Sequence, residues 1–308
     1  MSKTESLALF GVVATTFGVL LDAYLDKNNR DDREVCSQAE YLPCKKIFKQ
    51  KEYDELQTSG IVVIDNAVTK NIIREISQTC KYMAEKKIFK SNGNEDDEIR
   101  QDKVVWVRDC PGGEGVVLKD KNLLHALRTV RGIAKEIQNF SVQNGPDMNE
   151  LSVPRRAQLA MYTKGGGYLA HRDACNATFF DLGLYQWFIL RQYRERKYTA
   201  ILYLNDHDLE QGKNEKNKQT ISLDEDKTKG QKHVFPSKKW DVQKDGGSLR
   251  CYVGANSSDD IGTTADKIID VEPEGGRLVI FDSRMLLHQV MPSQRSRLAL
   301  TVWIESST

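Results

Sequence analysis

Apolar and polar positions alternate in short runs through the second half of the chain, which is the pattern of β-strands. These runs follow residue 155 and are separated by turn residues: AQLAMYT, YLAHRD, YTAILYLN, SLRCYV, KIIDVEP, RLVIFD and RLALTVWI. Alternation divides the last run between two faces, with Arg297, Ala299, Thr301 and Trp303 on one and Leu298, Leu300, Val302 and Ile304 on the other. Because both faces carry apolar residues, we expect this strand to be buried in a sheet or barrel.

The first half of the chain shows the wider spacing that is typical of helices. Apolar residues recur at helical spacing in residues 68–89 and again in residues 122–140, which predicts two amphipathic helices. Short apolar runs at 59–68 and 103–107 predict strands. Helices that precede a series of strands favour an α+β fold that is mainly β, an antiparallel barrel or sandwich flanked by N-terminal helices.

Composition excludes some classes of function. The chain has 308 residues with 45 Lys and Arg against 44 Asp and Glu, so it lacks the basic excess of a general nucleic-acid binder. Its six cysteines form no CxxC pair, which favours reduced thiols over a disulfide scaffold. A single Cys36–Cys44 bridge stays open for the case that the protein is secretory.

The N-terminal region leaves the compartment open. Residues 7–21 form an uncharged, mostly apolar run, which is shorter than the about 20 residues of a membrane span. A signal anchor and an apolar helix packed on the protein are equal alternatives. Residues 22–50 are charged and irregular, which is typical of a linker. The expected division is a segment 1–50 and a domain 51–308, with helical support in 51–150 and a barrel in 155–305.

Two insertions interrupt the predicted barrel. Residues 176–197 are aromatic and then basic, and residues 211–245 are rich in Lys, Asn and Gln. The second composition is typical of a solvated loop. The first fits either a lid or exosite for a protein substrate or a helix that covers the barrel exterior.

Three side chains of the strand region could bind a metal. His171 and Asp173 lie two positions apart in YLAHRD and therefore face the same side of a strand, and His288 follows the strand RLVIFD. Two histidines and one carboxylate form the facial triad of non-haem Fe(II) oxygenases, which leaves coordination positions open for substrate and O₂. The same pattern also fits a hydrogen-bonded pair, with His288 as a capping or core histidine.

Arg297 begins the last predicted strand, on the face that carries Thr301 and Trp303. A buried guanidinium is unfavourable unless an anion meets it, and that anion is either a protein carboxylate or a ligand. The planar fork of arginine suits the distal carboxylate of a keto acid whose other end chelates iron. Arg295 lies two positions earlier and would share the same face, but it is nearer the turn and we expect it to be exposed.

The motifs HRD, YTAILYLND, DGGSLR, GRLVIFDSR and HQVMPSQRSRLALTVW, together with IRQDKVVW at 99–106, resemble one known family. They are similar to those of the 2-oxoglutarate- and Fe(II)-dependent prolyl hydroxylases, most closely the EGL-nine type that hydroxylates hypoxia-inducible factor. The resemblance covers about residues 55–305. Its most discriminating part is IRQDKVVW, where the EGL-nine enzymes carry Arg-x-Asp-Lys and a Trp in a substrate-covering loop. Arg297 points away from the collagen-type enzymes, which usually use Lys for the keto-acid carboxylate.

The resemblance implies a double-stranded β-helix (a jelly-roll, cupin-like barrel) and a set of site residues. The implied iron ligands are His171, Asp173 and His288. The residues implied for 2-oxoglutarate are Arg297, Tyr203 and Thr301, with Tyr162, Tyr168 and Leu249 lining its pocket. Tyr203, Leu249 and Thr301 alternatively belong to the barrel core, and strict alternation puts Tyr168 on the face opposite His171.

The resemblance also implies that Arg100, Asp102 and Trp106 belong to the substrate-covering loop. The Asp of this loop pairs, in the EGL-nine enzymes, with an Arg three residues before the Thr of YTAILYLN. Here that pair is Asp102 and Arg196. The alternative is that both are ordinary surface charges.

The function implied by the resemblance is hydroxylation of C4 of a prolyl residue in a target protein, with a role as an oxygen sensor in a hypoxia response. Its cofactors and co-substrates are Fe(II), 2-oxoglutarate, O₂ and L-ascorbate, and its products include succinate and CO₂. We expect a monomer that binds a protein substrate and no nucleic acid, in the cytoplasm or nucleus, with membrane association through residues 7–21 as the alternative. Two other functions stay open: a 2-oxoglutarate oxygenase that acts on another residue or a small molecule, and a metal-free cupin-like binding module.

Overall fold

The computed structural model describes residues 46–91, 100–111, 115–144, 150–174, 193, 195–206, 240–255 and 265–306. The apolar run 7–21, Cys36, Cys44 and most of both insertions lie outside these residues. Within the described part, no helix is long and apolar enough to cross a bilayer. Among the described cysteines, Cys80 and Cys251 are buried free thiols.

The helices and strands follow the order expected from the sequence. The helices are α1 (Gln50–Ser59), α2 (Lys70–Glu85), α3 (Lys121–Asn144) and α4 (Val242–Asp245). The strands are β1 (Ile61–Ile64), β2 (Lys90–Ser91), β3 (Asp102–Arg108), β4 (Val116–Val117), β5 (Leu151–Ser152), β6 (Ala157–Tyr162), β7 (Tyr168–His171), β8 (Arg196–Tyr203), β9 (Leu249–Val253), β10 (Lys267–Val271), β11 (Leu278–Asp282), β12 (Leu287–Val290) and β13 (Arg297–Ser306).

The strands form two sheets, which are antiparallel except for the short parallel pairing of β4 with β3. The large sheet has the order β1-β11-β8-β13-β6-β3-β2, with β4 beside β3 and β5 beside β13. The small sheet has the order β10-β9-β12-β7. Apolar residues from both sheets, such as Tyr203 of the large sheet and Leu249 of the small one, share one core cluster. The predicted mainly-β jelly roll is therefore confirmed.

Helices cover the outer face of the large sheet. One apolar cluster joins α2 and α3 to the outward-facing residues of β13, among them Leu298, Leu300, Val302 and Ile304. The opposite residues of β13 face the interior between the sheets, where Arg297, Ala299, Thr301 and Trp303 line one cavity. The two faces that alternation predicts for this strand are both confirmed.

The sequence did not predict two elements that lie close to the interior, α1 and β12. Helix α1 buries only Tyr53 and Leu56, too few apolar residues to show a helical period. It ends at Gly60, whose φ of 71° is the left-handed conformation that glycine adopts readily. Strand β12 has only four residues, yet it lies between β9 and β7 and pairs His288 directly with His171.

Candidate active site

The side chains of His171, Asp173 and His288 converge at one point between the sheets. Their ligand atoms all lie within 4.8 Å of one another, so the three residues could hold a metal ion. Asp173 Oδ1 is 3.4 Å from His171 Nε2 and 3.9 Å from His288 Nε2. The spacing of His171 and Asp173 and the pairing of β7 with β12 together produce this cluster.

The Nδ1 atom of each imidazole ring contacts a backbone carbonyl oxygen. His171 Nδ1 lies 2.7 Å from the carbonyl oxygen of Leu169, and His288 Nδ1 lies 3.2 Å from that of Leu286. This arrangement places the proton on Nδ1 and leaves the Nε2 lone pair aimed at the cluster. Burial, with a smaller contribution from His171, lowers the pKa of His288 to about 4, so this ring is neutral at pH 7.

Asp173 is held in its ionised form. Burial opposes ionisation, but the contacts with His288 and His171 and the nearby guanidinium of Arg196 outweigh it and hold the pKa of this carboxyl well below its usual range. Oδ2 accepts hydrogen bonds from Thr199 Oγ1 at 2.8 Å and from Trp303 Nε1 at 3.2 Å. Two imidazole nitrogens and one carboxylate are the donor set that suits Fe(II) with open positions.

Arg297 provides a buried cation in the same cavity. It is 2% exposed, and no carboxylate of the described residues forms an ion pair with it. Its Nε donates to the carbonyl oxygen of Gly247 at 3.0 Å and its Nη2 to Tyr203 Oη at 3.3 Å. Gly247 can turn this carbonyl toward Arg297 because its φ is 70°. Burial raises the pKa of Tyr203, so its hydroxyl keeps a proton that it can donate to an anion.

The predicted pocket residues surround these two centres. One cavity runs from the His-Asp-His cluster to Arg297, and Tyr162, Tyr168, Leu249 and Thr301 line it. Tyr203 is fully buried behind Arg297 and contacts its guanidinium. Tyr203, Leu249 and Thr301 are thus both barrel core and neighbours of the cavity, so the two alternatives for these residues do not exclude each other.

The expectation that strict alternation places Tyr168 opposite His171 is wrong. The Tyr168 ring stacks on His171, with 3.7 Å between the ring centroids. The register between β7 and β12 shifts between His288 and Val290. Such an irregularity interrupts the period-two alternation, and it turns Tyr168 toward the cavity.

The predicted ion pair between Asp102 and Arg196 is also wrong. Strand β3 is separated from β8 by β6 and β13, which corresponds to three strand spacings of about 4.8 Å. The register separates the two residues further: Asp102 lies opposite Tyr162 near Arg297, whereas Arg196 lies opposite Glu305 at the far end of β13.

Asp102 instead pairs with Arg100. Its carboxylate accepts from Arg100 Nε at 2.6 Å and from Arg100 Nη2 at 2.8 Å. The same Nη2 donates to Gln158 at 3.0 Å, and the guanidinium lies 4.8 Å from the Tyr168 ring centroid. Arg100 therefore links Asp102 to the tyrosine that stacks on His171. The prediction that Asp102 and Trp106 lie in a loop is wrong, because both belong to strand β3.

Replacement of Asp102 by alanine should destabilise the fold. Because the Asp102 side chain is fully buried, its loss leaves the guanidinium of Arg100 without its bidentate carboxylate. We expect a fall of about 1–3 kcal/mol in the free energy of unfolding, measured by urea denaturation. Lys103→Ala is the matched control, since Lys103 is exposed and its loss should change stability by less than about 0.5 kcal/mol. Equal stabilities of the two variants would contradict this role for Asp102.

Trp106 and Arg196 belong to an aromatic and cationic cluster around Trp303. The Trp106 and Trp303 ring centroids are 5.9 Å apart, and Arg156 lies over Trp106 at 4.8 Å. Arg196 lies over Trp303 at 4.0 Å and over Tyr193 at 4.5 Å. This cluster begins where Trp303 contacts Asp173, at the opposite end of the cavity from Arg297.

Arg295 is not exposed as expected. Its side chain is 17% exposed, forms an ion pair with Asp245 at 3.3 Å and lies over Trp240 at 5.1 Å. Asp245 and Trp240 belong to the part of the chain around α4, whose position relative to β13 the strand pattern could not indicate.

Sequence reasoning missed Thr199 and Trp303 as hydrogen-bond donors to Asp173, and Ser283 as a contact of Thr199. A signal for Thr199 was available, because alternation in YTAILY places it on the same face as Ile201 and Tyr203. Trp303 follows Thr301 on the inner face of β13 in the same way. No comparable pattern marks Ser283, which lies in the turn after β11.

Comparisons with known proteins agree with this geometry. Residues 157–305 match the sequence model of the 2OG-Fe(II) oxygenase superfamily. Over 276 residues, or 86% of the chain, the sequence is 23% identical to Egl nine homolog 1 of Rattus norvegicus and to that of Homo sapiens. The chain spans 61% and 48% of the length of these two relatives.

Solved structures show the same fold. A prolyl-4-hydroxylase of Pseudomonas putida matches with a TM-score of 0.50 and 19% identity, covering 84% of this chain and 98% of its own. A prolyl hydroxylase of Trichoplax adhaerens, solved with a peptide fragment of the hypoxia inducible factor oxygen degradation domain, matches with a TM-score of 0.50 and 18% identity. That match covers 92% of each chain.

Proposed function

We propose that this chain, whose residues 157–305 match the 2OG-Fe(II) oxygenase superfamily, hydroxylates C4 of a prolyl residue in a target protein. The observation that carries the proposal is the single cavity that joins the His-Asp-His cluster to the buried Arg297. A keto acid with two carboxylates needs a metal at one end of the cavity and a cation at the other, whereas a metal-free binding module needs neither.

The residues of the cavity fit the two groups that this superfamily uses. His171, Asp173 and His288 would hold Fe(II), since their donor atoms converge and the rings are fixed through Nδ1. Arg297 and Tyr203 would hold the distal carboxylate of 2-oxoglutarate, with Thr301 beside them, and the other lining side chains would form the walls. Bound together with O₂, these groups supply oxidising power that inserts one oxygen atom into a C–H bond and leaves succinate and CO₂.

Prolyl specificity is supported by the names of the similar proteins. The likeness to Egl nine homolog 1 extends over 86% of this chain, including the segment upstream of the barrel that contains Arg100, Asp102 and Trp106. On this basis we propose a protein substrate, oxygen sensing as the biological role and ascorbate as the reductant that keeps the iron ferrous. We further propose that residues 51–308 form the catalytic domain and that it works in the cytoplasm or nucleus.

The test is direct analysis of hydroxylated peptides. Purified protein is incubated with Fe(II), 2-oxoglutarate, ascorbate and a protein extract from cells grown on proline deuterated at C4. We expect 2-oxoglutarate-dependent addition of one oxygen to prolyl residues with loss of one deuterium, since oxidation at C3 or C5 keeps both deuterons. Addition of oxygen to other residues only would contradict the prolyl assignment. Absence of iron-dependent succinate formation would favour the cupin-like binding module instead.

A further inference from the structure

The two oxygen atoms of the Asp173 carboxylate have different surroundings. Oδ2 accepts the two hydrogen bonds from Thr199 and Trp303, at 2.8 Å and 3.2 Å. Oδ1 faces the two histidines, at 3.4 Å and 3.9 Å from their Nε2 atoms. We propose that Thr199 and Trp303 are positioning residues that restrict Asp173 to one-oxygen coordination of the metal. This inference rests on the proposed function, because it takes Asp173 as a metal ligand.

The two donors reach Oδ2 because they are neighbours in the large sheet. Thr199 of β8 lies directly opposite Trp303 of β13, and both face the interior. Thr199 is fully buried and its only proton goes to Asp173, so Ser283 Oγ, at 2.8 Å from Thr199 Oγ1, must be the donor in that contact. The hydroxyl of Thr199 is thereby fixed in direction by a second buried hydroxyl.

Arg196 fixes the indole of Trp303 and the backbone of Asp173 at the same time. Its guanidinium lies 4.0 Å from the Trp303 ring centroid, and its Nη1 donates to the carbonyl oxygen of Asp173 at 3.0 Å. Arg196 therefore contacts both Trp303, which donates a hydrogen bond to Asp173, and the backbone of Asp173 itself. This is the role we assign to Arg196 in place of the ion pair with Asp102.

The distinction between the two oxygens matters for the chemistry of such a site. A site with two histidines and one carboxylate works in oxygenases because three coordination positions stay open for the co-substrates. A carboxylate that offered both oxygens would close one of them. Hydrogen bonds that occupy Oδ2 keep it turned away, and loss of such outer contacts typically weakens metal binding about 10–100-fold.

The test uses Co(II) as the probe, because its visible absorption reports coordination number without any turnover. The informative variants are Trp303→Phe, which keeps an aromatic ring but lacks the N–H donor, and Thr199→Val, which lacks the hydroxyl. We expect the double variant to bind Co(II) at least about tenfold more weakly than the wild type, with a spectrum shifted toward higher coordination number. The single variant Thr199→Ser, which keeps the hydroxyl, should show the wild-type spectrum. Trp106→Phe is the matched control, since Trp106 packs on Trp303 but donates nothing to Asp173.

The outcomes separate this inference from the proposed function. A double variant with the affinity and spectrum of the wild type would overturn the inference while leaving the metal site in place. A wild-type protein that binds no Co(II), or a His171→Ala variant that binds it as tightly, would overturn the metal site itself. Should the double variant fail to fold, as judged by circular dichroism, the two single variants are compared with Trp106→Phe instead, and a wild-type spectrum in both would overturn the inference.

Discussion

His288→Ala should retain no Fe(II) after desalting and should form succinate from 2-oxoglutarate only at background rate. A facial triad has three protein ligands, and water cannot replace one of them at a labile Fe(II) site. His288 is 3% exposed and its ring lies 4.6 Å from that of Phe281, so the empty space left by the substitution is enclosed by protein. The measurements are iron content after desalting and succinate yield with saturating 2-oxoglutarate.

Two further variants make this result interpretable. His171→Ala should lose iron and activity in the same way, but its side chain is 21% exposed, so less packing is lost if the fold is sensitive to the change at His288. His125→Ala is the matched control, because His125 is a partly exposed histidine of α3 outside the cavity. Near-wild-type activity of either triad variant at low iron would show that the triad assignment is wrong.

The sequence was sufficient for the residues that obey strict alternation. His171 and Asp173 follow from their spacing, and the inward position of Arg297 follows from the alternation of β13. In each case one strand alone determines the face of the side chain. The core of the fold was predictable for the same reason. Helices α2 and α3 and strand β13 are long enough to show their periodic pattern several times, and this identifies the buried face.

The parts that could not be predicted depend on how strands are ordered and aligned. The error for Asp102 and Arg196 arose because their strands are separated by β6 and β13, an order that spacing along the chain does not contain. The error for Tyr168 arose from one register shift between β7 and β12. The position of His288 opposite His171 depends on the four-residue strand β12, which is too short to show a period.

Arg297→Lys should keep the positive charge and still raise the apparent KM for 2-oxoglutarate by about tenfold or more, since a hydrogen bond to a charged group contributes roughly 1.5–3 kcal/mol. The guanidinium already donates to Gly247 through Nε and to Tyr203 through Nη2, and this leaves further N–H groups in a fixed plane for a carboxylate. A lysine ammonium has one nitrogen, so it cannot satisfy the Gly247 carbonyl and form two parallel bonds to a ligand. The KM is measured as succinate formation at saturating Fe(II), with Arg295→Lys as the control. Arg295 is paired with Asp245 and does not line the cavity, so its replacement should leave the KM unchanged. An unchanged KM in Arg297→Lys, or an equal rise in Arg295→Lys, would move the carboxylate site away from Arg297.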